Sequence, residues 1–261
     1  MAELIILGSP GLLRTQELYD RELRRLKERG ALQRKLQEID KLRSFRRVYV
    51  MGCGRSGTWL LTHVMGAFND TDIVRQELDV AYFGLMMTNY SALVIKRNAV
   101  AYQAIKEIPE SIEIAYIVRH PFDVLTSQLP GSGRLYHISP DRWLGEMSAL
   151  RYLVDTRRKN TKIVRYEDLV TDPVETQSDL AGFYGFDIRV PITEIATVSN
   201  NPTEGPGHRS RKLDVYSIHK HRHDHNKLQY LRVIRIALGK TLDWVGMSYN
   251  YDLSIFDEAV N

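Results

Sequence analysis

The sequence has almost no cysteine. Cys53 is the only one among 261 residues, so the chain can form neither an intramolecular disulfide nor a cysteine-based zinc cage. No apolar run approaches the roughly 20 residues needed to cross a bilayer. The apolar start of the chain lacks the basic residues that open a secretion signal. We therefore expect no transmembrane segment and a reducing, cytoplasmic location.

Neither sign of charge dominates. Lys and Arg number 36 against 32 Asp and Glu, which gives a formal net charge of +4. No basic stripe with interleaved aromatic residues appears, so we expect no nucleic-acid partner. A mildly basic protein suits a small polyanion equally well. The hydrophobic fraction of 43% is that of an ordinary globular protein rather than a disordered one.

The first 45 residues differ in composition from the rest. They are rich in Arg, Lys, Glu and Leu at helical spacing, which predicts an N-terminal helical extension that could also pair in a homodimer. In the main domain, residues 46–261, short apolar runs at 48–51, 92–95, 113–118 and 162–164 alternate with helical segments. This alternation predicts an α/β fold with a P-loop-like parallel sheet flanked by helices on both faces. Ligands of such sheets bind beyond the carboxyl ends of the strands.

The first apolar run leads into a glycine-rich loop. Residues 52–58 read Gly-Cys-Gly-Arg-Ser-Gly-Thr, and a helix is predicted to open at about Gly57. Glycines let the backbone turn several N–H groups into one concavity, and the helix N-terminus adds partial positive charge. Arg55 adds a full charge, while Ser56 and Thr58 add hydroxyl donors. The loop therefore predicts a phosphate or sulfate site.

Two other phosphate-binding loops fit less well. A nucleoside-triphosphate loop needs Gly-Lys-Ser/Thr, which is absent here, and no apolar strand ends in an aspartate that would hold magnesium. A dinucleotide loop has a further glycine deeper in the helix and an acidic residue after the second strand. A nucleotide kinase and a non-catalytic nucleotide-binding protein stay open as alternatives, and we expect no metal ion.

The loop resembles the 5′-phosphosulfate loop of sulfotransferases that use 3′-phosphoadenosine 5′-phosphosulfate (PAPS), in the form of the bacterial, carbohydrate and protein-tyrosine branch. A second segment is similar to the 3′-phosphate motif of that family, because Arg119 follows the run 113–118 and Ser127 comes eight residues later. The segment 162–173 also resembles the family, and there Tyr166 could approach the nucleotide. The resemblance implies that PAPS is held by Arg55, Ser56, Gly57, Thr58, Trp59, Leu60, Arg119, Ser127 and Tyr166.

Sulfuryl transfer should resemble phosphoryl transfer, an in-line displacement with little covalent work for the protein. Such a reaction needs charge stabilisation and a base for the acceptor hydroxyl. Arg55 and Lys96, which follows the run 92–95, are the predicted stabilising residues. The resemblance implies that Glu77 is the base, because Asn98 occupies the position of the histidine used by phenol and steroid sulfotransferases. A surface role for Glu77 and a solvated strand end for Lys96 stay open.

Two basic segments lie near the C-terminus. Arg209, Arg211 and Lys212 resemble the family's basic loop over the 3′-phosphate, although Leu213 stands where that loop often has glycine. Further on, four alternating histidines could hold a transition metal in helix or strand geometry. No carboxylate or cysteine completes an evident set, so a charged loop ahead of a helix at 227–238 is predicted instead. These histidines are His219, His221, His223 and His225.

The acceptor is less well defined than the donor. The branch resemblance implies a carbohydrate or glycolipid hydroxyl. Five aromatic residues near the variable loops could stack on a sugar or a phenol, or could equally be core: Tyr82, Phe83, Tyr90, Tyr136 and Trp143.

Overall fold

Within the residues that the structure describes, five strands form one parallel sheet. The structure is a computed structural model that describes residues 45–128, 135–194, 213, 215–219, 222 and 224–254. The strands lie in the spatial order β2-β3-β1-β4-β5, and all pairings are parallel. Their bounds are β1 (Arg46–Gly52), β2 (Thr71–Leu78), β3 (Ala92–Arg97), β4 (Ile112–Val118) and β5 (Thr161–Arg165).

Helices connect and cover these strands. The described α-helices are α1 (Thr58–Met65), α2 (Pro121–Leu125), α3 (Pro140–Asp155), α4 (Tyr166–Thr171), α5 (Pro173–Tyr184) and α6 (His225–Tyr249). Short 3₁₀ helices span Val80–Gly84, Ala101–Glu107 and Val215–Ser217. None of the helices among the described residues is both long and apolar enough to cross a membrane.

The sheet is buried on both faces. Val48 and Val50 of β1 pack with α1, α4 and α5, whereas Tyr49 and Met51 pack with α3 and α6. Successive strand residues point to opposite faces, so a strand with two buried faces reads as a continuous apolar run. That is the pattern from which the strands were predicted, and the predicted fold class is confirmed.

The strand order places a crevice at the centre of the sheet. From β1 the chain crosses to β2 on one side, and from β4 it continues to β5 on the other. Where neighbouring connections diverge in this way, the carboxyl ends of the strands leave room for a ligand. The glycine-rich loop follows β1 and Arg119 follows β4, so both predicted anion-binding segments begin at this crevice.

Several element bounds differ from the sequence predictions. The β-prone segment 71–74 is the start of a longer strand, and Glu77 lies within β2 rather than after it. Ser127 was predicted two turns along a helix, but α2 ends at Leu125 and Ser127 follows it. The helix predicted at 227–238 continues to Tyr249 through a kink at Gly239, where φ is 46°. The predicted N-terminal extension lies outside the described residues, apart from its last residue, so the division at residue 45 stays a prediction.

Candidate active site

The loop after β1 forms a tight turn. Gly57 has φ of 100°, and a Cβ there would lie 2.5 Å from the Tyr166 ring. Arg55 also has a positive φ, of 70°. The Ser56 hydroxyl donates to the carbonyl oxygen of Cys53 at 2.6 Å, which closes the turn from inside. Gly57 is therefore required both by its backbone conformation and by the close approach of Tyr166.

The helix that follows begins beside this loop and presents its N-terminus there. Gly57 is the N-cap of α1 and supplies no capping side chain. The first intrahelical bond runs from Leu61 N to Gly57 O, at 3.1 Å. The N–H groups of Thr58, Trp59 and Leu60 precede that bond, in the first turn of the helix. Together with the helix dipole they form a site for an anion.

Arg119 leaves β4 and turns back against the same loop. Its guanidinium stacks 4.2 Å from the centre of the Tyr166 ring. One terminal nitrogen donates to the carbonyl of Arg55 at 3.2 Å, and the other to the carbonyl of Ser217 at 2.6 Å. The Nε atom is buried and has no hydrogen-bond partner within the described part of the chain. Arg119 thus has a donor left over beside the loop.

The structure brings the two predicted motifs into direct contact. Nε of Arg55 donates to the hydroxyl of Ser127 at 2.8 Å. The hydroxyls of Tyr166 and Ser217 lie 2.6 Å apart on the far side of Arg119. Ser217 was not predicted from the sequence, because no motif marks it. Two arginines, two serines and a tyrosine therefore meet at the crevice, an arrangement suited to an anionic ligand.

A buried polar network supports the turn that carries Arg119. Asp123 lies 3.9 Å from the Arg119 guanidinium and accepts from the backbone N–H of His219 at 2.7 Å. Glu167 accepts from His120 N at 2.9 Å and from the Tyr251 hydroxyl at 3.0 Å. Burial raises the pKa of Glu167, and these two donors act against that rise. Each carboxylate ties the turn after β4 to a later segment of the chain.

A second charged group lies at the carboxyl end of β3. The Lys96 ammonium forms an ion pair with Glu77 and lies 4.1 Å from the centre of the Trp59 ring. The Lys96 side chain is only 3% exposed, whereas that of Glu77 is 47% exposed. Burial lowers the pKa of Lys96 to about 8, with Glu77 opposing the change. The sequence predicted that Trp59 contacts PAPS. In the structure its ring also packs against the Lys96 ammonium.

The pairing of Glu77 with Lys96 depends on an irregularity in β2. The register shifts between Val74 and Glu77, so that Glu77 lies directly opposite Lys96. A bulge of this kind re-aims side chains at the end of a strand. Nothing in the sequence marks the shift, although both residues were singled out from it.

A buried cluster on the opposite face was missed by the sequence analysis. Arg97 follows Lys96 and points to the α3 side, where its guanidinium lies 3.5 Å from Glu146. Arg142 approaches the same carboxylate oxygen at 3.8 Å. Burial raises the pKa of Glu146 to about 7, against the lowering effect of both arginines. The available signal was the spacing of Arg142 and Glu146, four residues apart after the N-cap Ser139.

Several predicted residues cannot be placed. Arg209, Arg211 and Lys212 lie outside the described residues, as do His221 and His223. His219 lies in a turn with φ of 58°, and His225 is the first residue of α6. Where the structure describes the chain, no group of three or more His, Cys, Asp or Glu side chains is positioned to hold a metal ion. The histidine prediction therefore stays untested.

The aromatic residues that could have stacked on an acceptor are mostly core. Tyr82, Phe83 and Trp143 are all at most 2% exposed. Tyr136 is 9% exposed and packs 4.5 Å from the Tyr230 ring, centre to centre. Tyr90, at 48%, is the exposed member of the set.

Comparison by sequence finds no match, whereas comparison by structure finds proteins with the same fold. No protein-family model matches the chain, and no curated protein is similar to it in sequence. The fold matches the sulfotransferase domain from the curacin biosynthetic pathway with a TM-score of 0.58 and 17% identity, over 81% of this chain and 99% of that domain. The sulfotransferase domain of the Synechococcus PCC 7002 olefin synthase gives a TM-score of 0.58 and 15% identity, over 80% and 95%.

These matches define the fold. The chain is an α/β protein with the fold of the two sulfotransferase domains, and each domain is covered almost completely. A fold alone does not specify an activity, so the function is argued from the site.

Proposed function

We propose that this protein is a sulfotransferase that moves a sulfuryl group from PAPS to an acceptor hydroxyl. The observation that carries the proposal is the contact between the two cationic segments at the central crevice: Arg55 bonds Ser127, and Arg119 packs against the same loop. PAPS carries two anionic groups, the 5′-phosphosulfate and the 3′-phosphate, so its binding site needs two cationic segments close together. The fold is also that of sulfotransferase domains.

The residues present fit the donor. The N-terminal turn of α1 (Thr58, Trp59 and Leu60), whose backbone N–H groups and helix dipole favour an anion, holds the 5′-phosphosulfate together with Arg55. Arg119 and Ser127 hold the 3′-phosphate, because the Arg119 guanidinium lies beside the loop and has five N–H donors, more than its two hydrogen bonds to Arg55 and Ser217 use. Supporting contacts come from Ser56 and Gly57, which shape the loop, and from Tyr166, whose ring lies beneath Arg119. Arg209, Arg211 and Lys212 are assigned to the same anion from the sequence alone.

The ion pair of Glu77 and Lys96 at the end of β3 is assigned to the transfer step. Glu77 accepts the proton of the acceptor hydroxyl, because its half-exposed carboxylate is open to an incoming ligand. The cations of Lys96 and Arg55 offset the negative charge that builds up on the transferring and leaving groups. Bound PAPS supplies the sulfuryl group, and in this scheme the two cations take the part that a metal ion plays in phosphoryl transfer.

We assign a carbohydrate or glycolipid hydroxyl as the acceptor. Support comes from Asn98, which stands where sulfotransferases for phenols and steroids have their histidine, and from a glutamate, Glu77, at the ion pair instead. Tyr90 is an exposed aromatic residue in the segment after β2 on which a sugar ring could stack.

The first test is calorimetric titration with 3′-phosphoadenosine 5′-phosphate, the desulfurylated donor, in the absence of magnesium. We expect micromolar binding that Arg119→Ala weakens about 10- to 100-fold, because a hydrogen bond to a charged group contributes about 1.5–3 kcal/mol. Arg151→Ala is the matched control. Like Arg119 it forms an i,i+4 pair with an aspartate and stacks near an aromatic ring, but at the far end of α3. The control is expected to bind as the parent does.

The alternative function predicts the opposite result. A nucleotide kinase would bind magnesium-ATP tightly and the 3′-phosphorylated nucleotide weakly. If binding of the donor product is confirmed, transfer of ³⁵S from labelled PAPS to a panel of saccharides and glycolipids, with phenols as comparators, tests the acceptor class. Label transfer only to phenols would contradict the carbohydrate assignment and leave the donor assignment intact.

A further inference from the structure

Arg97, Glu146 and Arg142 form a charged cluster beneath the active-site edge. Glu146 is 1% and Arg97 4% exposed, and the Arg142 side chain is 22% exposed. Both guanidinium groups face the same carboxylate oxygen, at 3.5 and 3.8 Å. Nε of each arginine and that oxygen are buried and have no hydrogen bond to any residue that the structure describes. The cluster is therefore held by charge rather than by close hydrogen bonds.

Such a cluster is a poor source of stability. Removing charges from water costs several kcal/mol per ion, and replacement of a buried ion pair by apolar residues of similar size is often neutral or stabilising. Loose pairs with unsatisfied atoms recover less of that cost than bidentate pairs do. The contacts of the cluster with the rest of the site are thus the more informative feature.

Arg142 lies between the two loops that carry the chemistry. Its Nη2 donates to the carbonyl of Ala99, in the loop after β3, at 3.4 Å. The same atom also lies close to Gly54, in the loop after β1: if Gly54 had a Cβ, the two atoms would be 3.2 Å apart. Arg97 continues the strand directly from Lys96 and donates to the carbonyl of Asn98 at 2.9 Å. Both arginines therefore touch backbone beside the residues assigned to sulfuryl transfer.

We propose that Glu146 is a positioning residue that holds Arg142 and Arg97 against these two loops and so fixes the relative placement of Arg55 and Lys96. The inference rests on the proposed function, because it takes those two cations as the groups that act on the sulfuryl group. Because Glu146 is buried, it acts through the arginines rather than directly on a ligand.

The state of Glu146 depends on pH near neutrality. With a pKa of about 7, it is ionised above that pH and holds both arginines, and it loses its charge below it. Burial raises the pKa values of the other titratable groups that face it, so these stay neutral in this range: Cys53 after β1, Tyr49 on β1 and Tyr116 on β4. The rate of transfer is therefore expected to fall as the pH drops below about 7.

The test compares Glu146→Gln with Arg142→Met, and uses Arg151→Met as the control on the same helix. For Glu146→Gln we expect kcat to fall about 10- to 100-fold while the Kd for 3′-phosphoadenosine 5′-phosphate changes less than about threefold, because misplacement of catalytic groups costs rate rather than binding. The inflection of kcat near pH 7 should disappear. The double variant should be no slower than the slower single one, since the two residues act as a unit. Arg151→Met should match the parent throughout.

A second measurement does not depend on activity. Hydrogen exchange is followed at the backbone amides of Ser56 and Asn98, one in each loop, which donate to the carbonyls of Cys53 and Leu78. We expect faster exchange of both in Glu146→Gln and Arg142→Met, with the central strands unchanged. Failure of the parent to bind the nucleotide would refute the proposed function, whereas the exchange result would still test the positioning role. Unchanged exchange in both loops, faster exchange throughout the sheet, or an unchanged kcat would overturn the inference.

Discussion

Replacement of Lys96 by methionine is expected to alter how the stability of this protein depends on pH. The ammonium is almost fully buried, and burial lowers its pKa from the ordinary 10.5 to about 8. The opposing contribution of Glu77 is smaller, because that carboxylate is 47% exposed and partly screened by water. The folded protein therefore carries a cost for keeping Lys96 charged.

The size and sign of the effect follow from the two pKa values. Below pH 8 both the folded and the unfolded chain hold the proton, and the cost is present in full. Between pH 8 and 10.5 the folded chain has released the proton while the unfolded chain still holds it, so the free energy of unfolding rises with pH. That interval corresponds to about 3 kcal/mol. Lys96→Met lacks this rise.

Urea unfolding of both proteins between pH 7 and 10.5 measures the difference directly. Because other groups titrate equally in the two proteins, their contributions cancel in the difference. Glu77→Gln should move the rise to lower pH by about one pH unit, since an adjacent opposite charge favours the ammonium. Glu175→Gln, at an exposed carboxylate in the first turn of α5, is the control and should leave it unmoved.

Two results would refute the reasoning. Stability curves of parent and Lys96→Met that stay parallel from pH 7 to 10.5 would mean that Lys96 is hydrated and its pKa ordinary. A transfer rate that stays constant above pH 8 would separate the charge of Lys96 from catalysis. We expect instead that the rate declines above about pH 8 as the ammonium loses its proton.

Three further outcomes are expected. Gly57→Ala, with φ of 100° and a Cβ 2.5 Å from the Tyr166 ring, should lower the free energy of unfolding by about 1–3 kcal/mol and abolish nucleotide binding, as measured by urea unfolding and calorimetry. Ser127→Ala removes the acceptor of Arg55 Nε and should raise the nucleotide Kd about tenfold in the same titration. Glu167→Ala leaves two buried donors unpaired and should cost about 2–4 kcal/mol in urea unfolding, and a loss below about 0.5 kcal/mol would show that water replaces the carboxylate.

The sheet could be predicted from the sequence because its strands are buried on both faces. The runs at 48–51 and 114–118 are apolar without alternation, the pattern expected of strands in a parallel sheet that is covered on both faces. The same pattern predicted that the loop after β1 and Arg119 after β4 lie close together. The carboxyl ends of neighbouring parallel strands meet at one edge of the sheet, whatever their separation in sequence.

The rest depended on contacts that have no local signal. The register shift that sets Glu77 opposite Lys96 is a property of two paired strands, and neither strand encodes it alone. Ser127 was placed within a helix because Pro121 opens one well, but α2 ends after five residues. Glu146 reads as one half of an ordinary surface pair with Arg142, and only the fold shows that it is buried against Arg97.

The positions of two consecutive residues, Lys96 and Arg97, are the structural basis for the proposed division between residues that act in the reaction and residues that position them. Lys96 and Arg97 end the same strand and point to opposite faces of the sheet, and each meets one carboxylate. Glu77, on the α1 side, is open to solvent and so can exchange a proton with a ligand. Glu146, on the α3 side, is closed and can act only on its arginines. A substitution on the α1 side should therefore change the reaction itself, whereas one on the α3 side should change how precisely the reacting groups are placed.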